Sequence, residues 1–338
     1  MGNFSLQIFT LDLILILDDH NGNITMFKQG PNFRETLDFI SSKPSEYSRC
    51  HIPMIYELLF NWQNSLAKDL EGSLILSNLV IKALNIYNKN NKDKSYATLL
   101  KIKKIDIGKI KKSDLSKELM VPRETTRRKL KELAEKKLIE IKGSFIFIKP
   151  KCFEVKNLDN ILKNFASCLN LTLNNTVYKN TREEICTNYL LDNFTITWFY
   201  LNSMMRDLAL VWKNYFKTLE NWYIFGTCGL NQNYNLRDYK QLHNFTNDEI
   251  ENFISNITHE KTRRGLNPTT ISELTGVSRQ SVVRNLKYLT DLKLIEREEK
   301  TNLYSVTSNE YFKKNIAEHL KRVYPPISKN VSLALQSL

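Results

Sequence analysis

An internal repeat constrains this chain more than any other feature. Ser113–Glu140 reads SDLSKELMVPRETTRRKLKELAEKKLIE, and Thr269–Glu296 reads TTISELTGVSRQSVVRNLKYLTDLKLIE. The two align over 28 positions without a gap, at a constant offset of 156, and eleven positions are identical. A generic amphipathic helix would match the leucines, Leu130/Leu286 and Leu133/Leu289, because they recur at helical spacing. It would not match Arg123 with Arg279, Arg128 with Arg284, or the Val-x-Arg that starts at Val121 and Val277. A chain of 338 residues carrying such a repeat reads as two related halves.

The second copy spells out a helix, a tight turn and a second helix. Asn267 is a good N-cap and Pro268 a good first helical residue. Ile271 and Leu274 are placed on the inward face. Gly276 can take the left-handed conformation that ends a helix, and Val277 plugs the corner. Ser278 caps the next helix, whose buried face is Val282, Leu286 and Leu289. That leaves Arg279, Gln280, Ser281, Val283 and Arg284 outward, at the end of a recognition helix that enters a major groove. Leu294–Arg297, a turn at Lys300–Asn302 and Leu303–Val306 then read as a two-stranded wing.

The first copy follows the same plan with different turn chemistry. Met120 stands at the glycine position, Pro122 at the cap and Thr126 at the place of Val282. Its outward set is Arg123, Glu124, Thr125, Arg127 and Arg128, and its wing is Ile139–Ile148 around Gly143-Ser144.

Charge is concentrated on the same two stretches. The net charge is +13, yet residues 101–149 hold 16 Lys/Arg against 7 Asp/Glu, and residues 257–300 hold 9 against 6. The remaining chain is close to neutral, with 24 against 23. A basic excess focused on motif-bearing blocks is the footprint of polyanion contact.

These stretches resemble the winged-helix regulators of bacteria, the MarR-like type in particular. There a Leu-x-x-Leu-x-x-x-Gly-Leu-Ile run closes the recognition helix and opens the wing; here it is Leu286–Ile295, with Lys293 in place of the glycine. The resemblance covers about 75 residues. It implies that Arg123 and Arg279 read a guanine edge or clamp a phosphate, and that Glu124 and Gln280 discriminate cytosine and adenine. It implies that Arg128 and Arg284 grip phosphate, while Lys111, Lys112, Lys142 and Lys300 add salt-dependent affinity.

The expected fold is mainly α with small β-wings: tandem winged helix-turn-helix domains forming a pseudo-dimer. The expected function is a sequence-specific, double-stranded DNA-binding transcriptional regulator. It would read two unlike half-sites through recognition helices near 122–134 and 278–290, as a monomer acting as a pseudo-dimer or as a further homodimer. Two alternatives stay open: a plasmid-type replication initiator with tandem winged helices, and a winged-helix protein-interaction module.

The expected divisions are an N-terminal segment of unknown role at 1–50, a first helical and winged-helix half at 51–150 and a connector at 151–193. A second half spans 194–308, and a helix and tail span 309–338. Residues 51–87 and 194–225 read as helical, with a further helix at Asn247–Ile257, and Pro325-Pro326 is expected to end the closing helix. An upstream match pairs Leu66-Ala67 with Leu208-Ala209.

No glycine-rich phosphate loop, Gly-x-Ser-x-Gly or paired-histidine motif is present, so an enzyme is not expected, nor any cofactor or metal. The five cysteines include no Cys-x-x-Cys pair, which fits reduced thiols in a cytoplasmic protein. Phe4–Leu17 is apolar but interrupted by Gln7 and Asp12 and too short to span a bilayer; it reads as a buried strand or helix. Trp62, Trp198, Trp212 and Trp222 fall on the long helices, where they read as core or as the walls of a pocket for a small-molecule effector.

Overall fold

The computed structural model describes residues 30–176, 184–243, 264–307 and 309–338; side chains of 233–243 and of residue 311 are outside that description. Phe4–Leu17 and Asn247–Ile257, where the sequence places a buried element and a capped helix, lie outside the described residues. What is described is mainly helical, with two small antiparallel sheets.

Helix α1 (Phe33–Ser42) opens with a capping box, in which Asn32 and Glu35 each accept the other's backbone N–H. The helix expected over 51–87 is two helices, α2 (Pro44–Asn64) and α3 (Leu70–Asn90). Asp69 makes the break: its carboxylate accepts the Gly72 N–H and starts α3 afresh. Then follow α4 (Tyr96–Lys101), β1 (Ile105–Lys109), α5 (Lys112–Glu118), α6 (Arg123–Glu135), β2 (Ile139–Lys142) and β3 (Phe145–Ile148). The strands form one antiparallel sheet in the order β1-β3-β2, with Ile105 and Ile139 both opposite Ile148. Leu115, Val121, Leu130, Leu133 and Ile146 bury the inner faces of these elements.

The stretch 151–193, expected as a connector, carries α7 (Leu158–Asn174) and α8 (Thr187–Asp192). Leu158, Ile161, Leu162, Phe165, Leu169 and Leu173 recur along α7 with helical spacing and are buried, and α7 lies along α2. Next come α9 (Phe194–Phe216) and α10 (Leu219–His243), separated by Lys217 at φ 65°. The upstream match fails here. Leu66-Ala67 lies in the turn between α2 and α3, whereas Leu208-Ala209 lies inside α9.

Helices α11 (Pro268–Thr275) and α12 (Arg279–Asp291) follow, then β4 (Ile295–Arg297), β5 (Tyr304–Val306) and α13 (Glu310–Ser337). Strands β4 and β5 pair antiparallel, and Leu266 bridges to the other side of β5 at Tyr304. Helix α13 does not stop at Pro325-Pro326 but runs through both. Each proline removes one backbone hydrogen bond from the helix interior. Burial of Ile327, Val331, Ala334 and Leu335, with α13 lying on α9 and α1, offsets that loss.

Helix α3 packs along α9, and α13 along α9 on another side, so α9 sits at the centre. One apolar core runs from Phe39 through Leu208 to Leu335. The helix-turn-helix segments are fixed to it by α3 against α6 and by α10 against α11 and α12.

Candidate nucleic-acid interface

The turn before each outward helix is built by matching local bonds. Ser116 Oγ donates to Val121 O at 2.6 Å, and Ser272 Oγ donates to Val277 O at 2.7 Å. Met120 takes φ 50° and Gly276 φ 72°, so both turns pass through the left-handed region. Lys137 and Lys293 each take φ 58° just past the outward helices. Glycine is the usual residue at such a helix end, and Lys293 adopts its conformation in the Leu286–Ile295 run.

The helix starts differ in chemistry. Ser278 Oγ accepts the Ser281 N–H at 3.3 Å, whereas Pro122, in the same backbone conformation, offers no side-chain cap. Thr126 is fully buried and turns its hydroxyl to Val121 O at 3.4 Å; Val282 is fully buried as pure hydrocarbon. Leu274 departs from its expected inward position: it is 53% exposed, and Thr275, whose hydroxyl donates to Ile271 O, takes the inner place.

The candidate contact residues are at the surface. On α6, Arg123, Glu124, Arg127 and Arg128 are exposed and Thr125 is half-buried. On α12, Arg279, Gln280, Val283 and Arg284 are exposed; Ser281 is half-buried, and its hydroxyl accepts from Ser278 at 3.1 Å. Lys111 and Lys112 are exposed at the start of α5, Lys142 at the end of β2 and Lys300 at the second wing's turn.

Several of these cations have partners within the chain. Arg127 pairs with Glu124 at 2.9 Å and Arg128 with Glu132 at 2.8 Å, both on the open surface. Exposed pairs of this kind contribute little, typically below about 1 kcal/mol, so a phosphate can displace the carboxylate at small cost. Arg279 Nε donates to Thr269 Oγ1 at 3.3 Å, which leans it toward α11. At the first wing Glu140 faces Lys149 at 2.6 Å, Lys104 at 3.1 Å and Lys142 at 3.2 Å. Their hydrogen bonds hold its carboxyl down to about 2, so the group is anionic throughout the neutral range and three lysines share one carboxylate.

The wings carry cations that sequence reasoning passed over. Lys109 Nζ lies 5.5 Å from the centre of the Phe145 ring, and Arg297 lies 5.9 Å from that of Tyr304. Both are facing pairs in the strand register. The residues were visible in the sequence; the pairing needs the register, which a wing of three or four residues does not fix.

Each turn is also bonded to a long helix far from it in the sequence. Buried Lys213, on α9, donates to Met120 O at 2.8 Å, with Glu71 at 3.5 Å. Gln63 Nε2, near the end of α2, lies 3.5 Å from Gly276 O, and Asn64 touches Gly276. The outward helices are also tied to residues nearer in the sequence: Lys129 pairs with Asp69 at 3.0 Å, and Asn285 donates to Glu220 at 3.3 Å.

Among the described residues, no helix is long and apolar enough to cross a membrane, and no group of three or more His, Cys, Asp or Glu residues is placed to hold a metal. No curated protein matches the chain, and no solved structure does. A model of the MarR family matches residues 254–301. That span takes in α11, α12 and β4, whose order of helix, turn, exposed helix and strand is that of a MarR-like winged helix.

Proposed function

We propose that this protein is a sequence-specific, double-stranded DNA-binding transcription regulator in which two winged helices form a pseudo-dimer within one chain. Helices α6 and α12 read two unlike half-sites. The observation that carries this reading is the position-for-position agreement of the two units. Arg123 and Arg279, and Arg128 and Arg284, stand exposed at the same places on helices whose buried faces and turn bonds also correspond.

The crossed contacts support the pseudo-dimer. Lys213 reaching Met120 and Gln63 reaching Gly276 are reciprocal: the helix that begins each half touches the turn of the other. Reciprocity of this kind is what a two-fold relation produces. Helix α7 lying on α2, and α13 on α9, extends the correspondence beyond the 28 aligned positions. The unlike exposed sets, with Glu124 and Arg127 against Gln280 and Val283, support unlike half-sites. The reading carries a cytoplasmic location and a chain that is not an enzyme.

The test is selection of DNA by the purified chain, followed by a salt titration on the best site. One chain is expected to protect an asymmetric target. Arg123→Ala and Arg279→Ala are each expected to weaken that site by about 1–3 kcal/mol, the range for a bidentate base contact. Lys142→Ala is expected to lower the salt slope by about 1, the loss of one phosphate contact. A perfect palindrome bound by two chains overturns the pseudo-dimer, and undiminished binding by both arginine variants overturns the assignment of the helices.

A further inference from the structure

The outer face of the first wing's sheet carries a chemistry that the second wing lacks. Strand β3 alternates, so Ile146 and Ile148 are buried while Phe145 and Phe147 turn outward. Phe145 is 39% exposed. In the strand register Lys109 and Lys142 stand on either side of Phe145, and Asp106 and Glu140 on either side of Phe147. Lys104 Nζ lies 4.1 Å from the centre of the Phe147 ring, as Lys109 lies over Phe145. The second wing pairs three residues on each strand, and Tyr304 is the one ring among them.

The charge around these rings is basic. Six of the twelve residues 101–112 are lysine and one is acidic. Both carboxylates of the face are engaged within the chain: Asp106 accepts the Gly108 N–H at 2.8 Å, and Glu140 is shared by Lys104, Lys142 and Lys149. Rings interleaved with cations fit a polymer that alternates flat apolar faces with anions, which is a nucleic-acid strand. An apolar protein surface laid on this face would desolvate the lysines with no opposite charge to meet them. Two residues along a strand lie about 6.8 Å apart, twice the roughly 3.4 Å between nucleotides of a duplex strand. Bases resting on Phe145 and Phe147 are therefore unstacked from each other, which a paired helix does not permit. A cation over an exposed ring is held more weakly than a base stacked on that ring. An incoming base thus displaces Lys104 from Phe147 and leaves its ammonium free for the backbone phosphate.

We propose that this sheet face binds single-stranded DNA, with two unpaired bases stacked on Phe145 and Phe147 and the backbone phosphates held by Lys104, Lys109 and Lys142. The first unit then has a contact with opened DNA that the second, with its one ring, does not share. The stacking stands on the wing alone. Only the choice of DNA over RNA rests on the reading of α6 and α12 as DNA-contacting helices.

The test is fluorescence anisotropy of the full chain with labelled oligothymidylate, an abasic strand of the same length and charge, oligouridylate and a mixed-sequence duplex. Oligothymidylate is expected to bind about tenfold tighter than the abasic strand, because the charge is equal and only the stacking differs. Phe145→Ala is expected to weaken oligothymidylate by about fivefold or more and to leave the abasic strand and the duplex unchanged. Phe145→Trp keeps a stacking ring and is expected to keep the affinity. Lys109→Ala is expected to lower the single-strand salt slope by about 0.7, the loss of one phosphate contact. Arg123→Ala and Arg279→Ala, on the outward helices, are expected to keep the preference for oligothymidylate over the abasic strand, so failure of this proposal is separable from failure of the regulator reading. Circular dichroism verifies that each variant is folded. Equal affinity for oligothymidylate and the abasic strand, wild-type affinity in a folded Phe145→Ala, or equal weakening of the duplex by that variant overturns the stacking site. Tighter binding of oligouridylate than of oligothymidylate overturns the choice of DNA.

Discussion

Met120 and Gly276 occupy corresponding turns with positive φ, and only one of them is a glycine. A side chain in the left-handed region costs roughly 1–2 kcal/mol, while glycine adds freedom to the unfolded chain and gives part of that back. Met120 is 40% exposed, so trimming it loses little packing, and its carbonyl still accepts from Lys213. Met120→Gly is therefore expected to stabilise the chain by up to about 1 kcal/mol. Gly276→Ala is expected to destabilise it by about 1–2 kcal/mol, because the added Cβ is strained and meets Asn64. Urea unfolding of the two variants checks the opposite signs; destabilisation by both would mean that the Met120 side chain contributes more than its exposure indicates. At this scale the sequence was legible. The turn glycine, the Ser278 cap and the buried Val282, Leu286 and Leu289 all stand where their chemistry places them. Leu274 was misread because helical spacing allows two adjacent positions to face inward, and Thr275 took the place by bonding its hydroxyl to Ile271 O.

Whole elements were legible where a local signal is strong and hidden where packing overrides it. The second outward helix follows from its cap and turn residues, and the first from its alignment with the second. Helix α7 is hard to see in the sequence because asparagines are interspersed with the apolar period of Ile161, Phe165 and Leu169. A proline pair ordinarily ends a helix, so the sequence does not announce the second half of α13. Here the residues beyond it, Ile327, Val331 and Leu335, are fully buried, and a chain leaving the helix at Pro325 would expose them. The helix therefore persists with two backbone bonds missing. Replacing both residues, Pro325→Ala with Pro326→Ala, restores the two donors and is expected to stabilise the chain by about 2 kcal/mol or more. The check is a rise in the urea midpoint at unchanged slope. A lower midpoint would mean that the bend itself seats the second half of α13 on α9 and α1.

At the scale of the molecule, the sequence announced two motifs but not how their supporting helices interlock. The upstream match of Leu66-Ala67 to Leu208-Ala209 fails because helix pairing depends on contacts between residues over a hundred positions apart, which local periodicity does not encode. One consequence of that interlocking is measurable through pH. His319 projects from α13 against Tyr215 and Phe216 of α9, with ring centres at 4.3 and 5.4 Å, and Arg322 raises the local positive potential. Its folded value lies near 4, below the usual 6.5, so the unfolded chain binds the proton more readily. Stability from this group is fully present above about pH 6.5 and is lost as pH falls toward 4, because unfolding then takes up a proton. A depression of this size corresponds to about 3 kcal/mol over that window. His319→Phe removes the titration, so the stability difference between wild type and variant is expected to shift by that amount in favour of the variant between pH 7 and pH 4. Urea unfolding across the range measures it. Parallel curves would mean that His319 is hydrated in the folded chain, and that α13 is less tightly closed over α9 than the burial of Ile327 and Val331 requires.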